Sequence, residues 1–155
     1  MPCAVVETPI GPLGLVGSES ALHAVVFDGR SVRPDGESDV LDEAARQLAA
    51  YFDGELVGFD LPLELKGTEF QRECWLALAT IPYGQTVSYG EQARSLGLGS
   101  EQARAVGAAN GANPLPIVLP CHRVIGADGS LTGFGAGLHV KRFLLELEGA
   151  LLPLG

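Results

Sequence analysis

The sequence predicts an α+β protein in two parts: a small N-terminal α/β unit over residues 1–65 and a mostly helical C-terminal unit over residues 66–155. Three observations carry this reading. Charge changes abruptly near Leu65-Lys66-Gly67: the first part holds twelve acids and three bases, the second seven of each. The first part consists mainly of short apolar runs broken by Pro and Gly, as strands joined by turns are. The second shows helical spacing with legible N-caps. With 155 residues, 46% of them hydrophobic and 19% charged, the chain can build a core, and general disorder is excluded.

In the first part, Ala4-Val5-Val6-Glu7, Gly14-Leu15-Val16-Gly17 and Ala21 to Phe27 read as three strands in a meander, the last ended by the turn pair Asp28-Gly29. Arg30 to Ser38 is a polar loop. Leu41, Ala44, Ala45, Leu48 and Phe52 then recur at helical spacing, and Asp53-Gly54 closes that helix. A further short strand is expected near Val57 to Leu61. Nothing here gathers catalytic side chains. The acidity of this unit opposes nucleic-acid binding, whereas the neutral second half can present a local basic face.

In the second part, Thr68-Glu69-Phe70-Gln71 fits a capping box, with Phe70, Cys74, Ala77 and Leu78 on one helical face. Pro82-Tyr83-Gly84 stops that helix. Ser88-Tyr89-Gly90-Glu91 opens a second helix to about Leu96, and Ser100 is expected to cap a third from Glu101 to about Asn110. Two short helices joined by Gly97-Leu98-Gly99 form a helix-turn-helix pattern, which any helical hairpin can imitate. The third helix, Arg104-Ala105-Val106-Gly107-Ala108-Ala109-Asn110, carries unusually small side chains. Close helix packing explains such a run. So does entry into a groove about 6 Å wide, the DNA minor groove, with Arg104 as its one long cation. A last helix from about Leu138 to Glu148 is expected to turn Val140, Phe143, Leu144 and Leu147 inward, and Leu151–Gly155 reads as an unstructured end.

The chemistry concentrates between Asn113 and Gly126. Three prolines, Pro114, Pro116 and Pro120, make the approach to Cys121 stiff and extended. His122 and Arg123 follow, and either can favour a thiolate. Most cysteines are merely small buried hydrophobes; here the rigid lead-in and the adjacent His122 point instead to a nucleophile. Neighbouring strand residues face opposite ways, so a Cys121–His122 dyad requires a bend or an intervening water. Gly133-Phe134-Gly135-Ala136-Gly137 lets backbone approach a flat ligand but lacks the context of a phosphate-binding loop.

Three scattered cysteines (Cys3, Cys74, Cys121) and three histidines match no disulfide scaffold and no zinc spacing. No apolar run approaches the roughly 18 residues of a spanning helix, and no signal peptide opens the chain. A cytoplasmic protein without a membrane partner is expected.

The string Pro120-Cys121-His122-Arg123-Val124 resembles the active-site motif of the O6-alkylguanine-DNA alkyltransferases, the methylated-DNA–protein-cysteine methyltransferases. The resemblance runs from about Gly67 to Gly149, through Pro82-Tyr83-Gly84, Ser88-Tyr89-Gly90, Arg104-Ala105-Val106-Gly107, Asn113-Pro114, Gly137 to Lys141, and Glu148-Gly149. The first part matches more loosely, at Thr8-Pro9-Ile10-Gly11. The resemblance implies a ribonuclease H-like N-terminal unit packed on a winged-helix-like C-terminal one. It implies a monomer that binds double-stranded DNA, flips O6-alkylguanine out of the stack, and transfers the alkyl group irreversibly to Cys121. His122 would act as base through water, Glu148 would orient it, and Tyr89 would bond the flipped base and help protonate it. Arg104 would replace the extruded nucleotide, with Ser100, Ala105, Ala108 and Asn110 on the DNA side. Asn113 would act as a hinge, and Val124, Phe134 and Gly135 would line the base pocket.

The sequence departs from the family in places. Zinc-bearing members use two cysteines and two histidines in the first domain; Cys3 and His23 alone imply no metal, and no cofactor is expected. Gly135 and Phe134 stand where serine and tyrosine are common. Activity on O4-alkylthymine stays open. Two other readings compete. A non-catalytic alkylated-base sensor that recruits other repair typically replaces the cysteine that Cys121 supplies. A cysteine hydrolase has no use for Arg104 or the helix-turn-helix.

Overall fold

The computed structural model describes residues 1–152, so residues 153–155 of the expected unstructured end lie outside the described residues. The chain divides into two compact units, Met1–Leu65 and Lys66–Gly155, and the secondary structure is α+β.

In the first unit, β1 (Cys3–Val6), β2 (Leu13–Gly17) and β3 (Leu22–Val26) form an antiparallel meander, with Ala4 opposite Leu15 and Leu15 opposite Val25. Leu13, Leu15 and Leu22 are fully buried, and α1 (Asp39–Phe52) adds Leu41, Ala44, Leu48 and Tyr51 to the same core. Ser38 caps α1 by accepting from the Leu41 N–H. Gly54, at φ +77°, follows the helix in the left-handed conformation that glycine adopts most readily.

The strand expected at Val57 to Leu61 does not form. The buried Gln47 amide takes the strand's place: its Nε2 donates to the Asp60 carbonyl and its Oε1 accepts from the Asp60 N–H, both at 2.9 Å. Extended pairing occurs slightly later, where Leu22 N–H donates to Pro62 O and Glu64 N–H donates to Leu22 O.

The second unit contains α2 (Glu69–Leu78), β4 (Val87–Ser88), α3 (Tyr89–Ser95), α4 (Ala103–Gly111), β5 (Val124–Ile125) and α5 (Leu138–Leu147). Both capping boxes close as their sequences predict, Thr68 with Gln71 and Ser88 with Glu91. Ser100 does not cap a helix; it opens a short 3₁₀ turn through Gln102, and α4 starts at Ala103 without a side-chain cap. Cys74, Ala93, Val106 and Ala109 pack α2, α3 and α4 together. The Trp75 indole donates to the Ala109 carbonyl at 2.8 Å, which satisfies its N–H inside the core.

In α5 the buried face is Val140, Lys141, Leu144 and Leu145, whereas Phe143 and Leu147 are only half-buried. The buried arc is rotated from the one read in the sequence because a lysine occupies part of it. Among the described residues, no helix is long and apolar enough to cross a membrane.

Candidate active site

The segment from Asn113 to Cys121 is held by unusual backbone geometry. Ile117 is 1% exposed and sits at φ +74°, a left-handed conformation that is costly for a β-branched residue. Asn113 fastens both ends of the segment: its Nδ2 donates to the Leu119 carbonyl at 2.8 Å and its Oδ1 accepts from the Leu115 N–H at 2.9 Å. Leu119 N–H donates to Leu115 O and Cys121 N–H donates to Leu119 O, both at 2.8 Å.

The extended run then ends. Cys121–Arg123 is a 3₁₀ turn, which supplies the bend that adjacent nucleophile and base require. Cys121 is half-buried and His122 is fully buried.

Glu148, just past the end of α5, lies against this turn. Its Oε2 is hydrogen-bonded to His122 Nε2 at 2.7 Å. Arg123 grips the same carboxylate in a fork: Nε donates to Oε1 at 2.8 Å and Nη2 to Oε2 at 3.0 Å. The remaining guanidinium nitrogen donates to the Ile81 carbonyl at 2.7 Å, and the guanidinium carbon lies 5.7 Å from the Tyr83 ring centre. His122 Nδ1 is buried and has no protein hydrogen-bond partner.

Lys141, which sequence reasoning left without a role, is fully buried. Its Nζ donates to Val124 O at 2.6 Å and Thr132 O at 2.8 Å, and lies 5.9 Å from the Tyr89 ring centre. Burial lowers its pKa to about 8, against an opposing pull from the charge of Cys121. The sequence signals for it were its place at the end of the matching stretch Gly137 to Lys141 and its position on an apolar helical face.

Burial raises the Cys121 thiol above its ordinary range; the Asn113 hydrogen bond and the Lys141 charge act the other way. Arg123 thus does not serve the thiol, as its position beside Cys121 suggested; its fork is spent on Glu148. The resting sulfur is a thiol that needs a base. Burial lowers the His122 pKa, the Glu148 hydrogen bond and charge oppose this, and the charges of Arg123 and Lys141 reinforce it.

The other expected site residues spread over one helix-turn-helix and one loop. Tyr89 opens α3 and its hydroxyl donates to Thr132 O at 3.4 Å. Tyr89, Ala103, Arg104 and Gly107 line an open apolar hollow of about 330 Å³. Arg104, Ala105 and Ala108 are exposed on α4, and Ser100 is exposed before it.

Asn110 is not on that face. It is buried, exchanging amide hydrogen bonds with Gln92 at 2.8 and 3.1 Å, because the apolar interface of α3 and α4 needs both amides paired. The Val124 side chain is fully buried, and its carbonyl, part of the backbone expected to line the base pocket, accepts from Lys141 Nζ. Gly135 is exposed, with open space where a Cβ would project, and Phe134 is half-buried beside it.

The constellation is therefore a thiol and a histidine on one tight turn, a carboxylate behind the histidine, and a hollow at the start of a recognition-type helix. Residues 69–150 match the family model for the DNA-binding domain of 6-O-methylguanine DNA methyltransferase, and residues 1–65 match the model for its ribonuclease-like domain. The chain is 50% identical over 153 residues to a methylated-DNA–protein-cysteine methyltransferase of Methanosarcina acetivorans, covering 95% of this chain and 97% of that one. It is 49% identical over 153 residues to the Mycobacterium tuberculosis protein of the same name, covering 96% and 92%. The crystal structure of M. tuberculosis OGT in complex with DNA superposes with a TM-score of 0.88 at 50% identity, covering 96% of this chain and 92% of that one. With the two family models together spanning nearly its whole length, this chain belongs to the 6-O-methylguanine DNA methyltransferase family.

Proposed function

We propose that this chain performs direct-reversal DNA repair, moving the alkyl group of an O6-alkylguanine in duplex DNA irreversibly to Cys121, once per molecule. The observation that carries this reading is that His122, on the same turn as Cys121, is buried and hydrogen-bonded to Glu148, in a member of this family.

The reactive carbon lies inside the duplex, so the base must leave the stack at a cost of a few kcal/mol. The small, exposed residues of α4 suit a shallow fit to the minor groove, and Arg104 is long enough to fill the gap in the stack. Tyr89 stands beside Arg104 at the hollow, placed to meet the extruded base.

His122 Nδ1 takes the thiol proton through a bridging water, because Nε2 is engaged with Glu148. The sulfur then attacks the alkyl carbon. The S–C bond forms, the C–O bond breaks, and its electron pair stays on O6. One proton leaves sulfur and one arrives on the guanine, with Tyr89 helping to deliver it, so protons balance and no cofactor enters. A thioether is a poor leaving group, which makes the transfer final. Asn113 holds the sulfur's approach through its two backbone bonds. Action on DNA in the cytoplasm, as a monomer and without a membrane partner, belongs to the same reading, and relatives of this family occur in bacteria and archaea.

Intact-protein and peptide mass spectrometry after mixing with a duplex carrying one O6-methylguanine tests this. The peptide bearing Cys121 should gain one methyl group per molecule and no more. Cys121→Ser should gain none and still bind the duplex; binding without any methyl gain by the unaltered protein would leave only the role of a damage sensor.

A further inference from the structure

We propose that Arg123 is a positioning residue that fixes the proton inventory of the relay, holding Glu148 as a pure acceptor so that His122 rests neutral with its proton on Nε2. This deepens the alkyl-transfer reading and rests on it for its consequence in the reaction, though not for its direct test.

Both Glu148 oxygens accept from Arg123, and one of them also faces His122 Nε2. A carboxylate clamped in this bidentate way accepts hydrogen bonds and does not donate. The proton between His122 and Glu148 therefore belongs to Nε2, and the lone pair of a neutral ring falls on Nδ1, the nitrogen without a protein partner.

The same clamp sets the charge. Arg123, Glu148 and neutral His122 sum to zero inside a buried site. An imidazolium there would make the cluster a buried cation, with Lys141 as a second positive charge in the same unit. Without Arg123, a buried Glu148 would face His122 alone and favour the imidazolium, which cannot act as base. The charged and titratable groups around the ring are Glu148, Arg123, Lys141 and Cys121, with the Tyr83 hydroxyl behind Arg123.

This has a consequence for the order of events. His122 can hold a second proton only while the neighbouring sulfur is a thiolate, which balances it. Once the S–C bond has formed, that negative charge is gone, and the neutral ring is again preferred. The proton is then driven off the ring and onward towards the departing guanine. Arg123 thus serves both proton uptake and proton release. Its attachment is held further by the Ile81 carbonyl, which accepts from the remaining guanidinium nitrogen, and by the Tyr83 ring.

The direct test is ¹⁵N NMR of the His122 ring in the unaltered protein across pH 5 to about 8, which reads tautomer and charge without any reaction. The expected spectrum is a neutral ring protonated at Nε2 throughout the neutral range. An imidazolium at pH 7, or a proton on Nδ1, overturns the proposal and needs no variant to do so. The second arm is the pH profile of single-turnover methyl transfer for Arg123→Met and Arg123→Lys. Arg123→Met should move the acid limb up by about one pH unit, with a loss that approaches tenfold only at the acid end of the profile and disappears above pH 8. Arg123→Lys keeps the charge without the fork and should fall between. An Arg123→Met protein slowed equally at every pH, with an unshifted His122 titration, reduces Arg123 to a structural role. Failure of the unaltered protein to methylate Cys121 would instead remove the alkyl-transfer reading, with the ring spectrum still deciding the protonation claim.

Discussion

The two units of this chain bury very different things. In Met1–Leu65 the core is aliphatic and aromatic, and its buried polar residues, Ser38 and Gln47, carry no charge. Among the described residues of the second unit, four basic or carboxylic side chains are buried: His122, Arg123, Lys141 and Glu148. Burying a charge costs several kcal/mol even after relaxation, and an ion pair repays this only with near-complete hydrogen bonding. Three of the four form one hydrogen-bonded cluster, and Lys141 is satisfied by two carbonyls. Charge inside the fold is confined to the unit that has chemistry to do, and the acidic unit keeps its charges at the surface.

Two truncations should separate the units most sharply. Glu148→Ala leaves Arg123 buried without its counter-ion, and should cost about 4 kcal/mol of stability, a value typical of breaking a buried pair. Leu48→Ala in the first unit removes a fully buried side chain and should cost about 3 kcal/mol by cavity formation. Stability measured by urea unfolding would place the two close together. The transfer rate per folded molecule would not: it should collapse for Glu148→Ala and stay unchanged for Leu48→Ala. A comparable loss of rate in Leu48→Ala would mean that the first unit shares in the chemistry.

Acid should act differently on the two units. The His122 pKa lies below its ordinary 6.5 in the folded chain, chiefly through burial. Between the folded value and 6.5 the unfolded chain therefore holds more protons. The stability His122 contributes is complete above pH 6.5 and is lost as pH falls. Glu43 in the first unit has a pKa lowered to about 2 by its hydrogen bonds to Arg46 and Gln47, but it is exposed and screened by solvent. Its contribution is present above pH 4.5 and is lost as pH falls towards 2. Urea midpoints followed from pH 7 downward should drop first through the second unit, and His122→Gln should remove part of that early drop. An unchanged profile in His122→Gln would show that the histidine takes up its proton alike in the folded and the unfolded chain.

How well these features could be read from sequence follows the range of the interaction. The capping boxes at Thr68 and Ser88 close within three residues, and the three-stranded meander is punctuated by its own turns. Cys121, His122 and Glu148 were legible through the resemblance and the stiff proline approach. Arg123 was visible as a residue but not as the partner of Glu148, 25 positions away. Lys141 binds carbonyls 17 and 9 positions away, and a lysine on an apolar face carries no mark of which carbonyls it will meet. The strand expected at Val57 to Leu61 failed because a side chain, Gln47, took the hydrogen bonds a neighbouring strand would have used. Nothing in Pro116-Ile117-Val118 announces a left-handed isoleucine, since that conformation is imposed by the bonds on either side of it.

The smallest effect tests the helix whose small residues first drew attention. A Cβ built on Gly107 would meet the Tyr89 ring at 3.6 Å, an ordinary contact, so packing within the unit does not demand glycine there. Alanine should therefore stabilise α4 by about 1 kcal/mol through helix propensity alone. Glycine at this position thus has a reason outside the stability of the unit, and the hollow it shares with Tyr89, Ala103 and Arg104 supplies one. Gly107→Ala should raise the urea midpoint and weaken binding to a duplex carrying an extrahelical base, with binding to intact duplex less affected. An equal loss of affinity for both duplexes would assign Gly107 to close approach of the backbone along the groove, and a lowered midpoint would return it to helix packing.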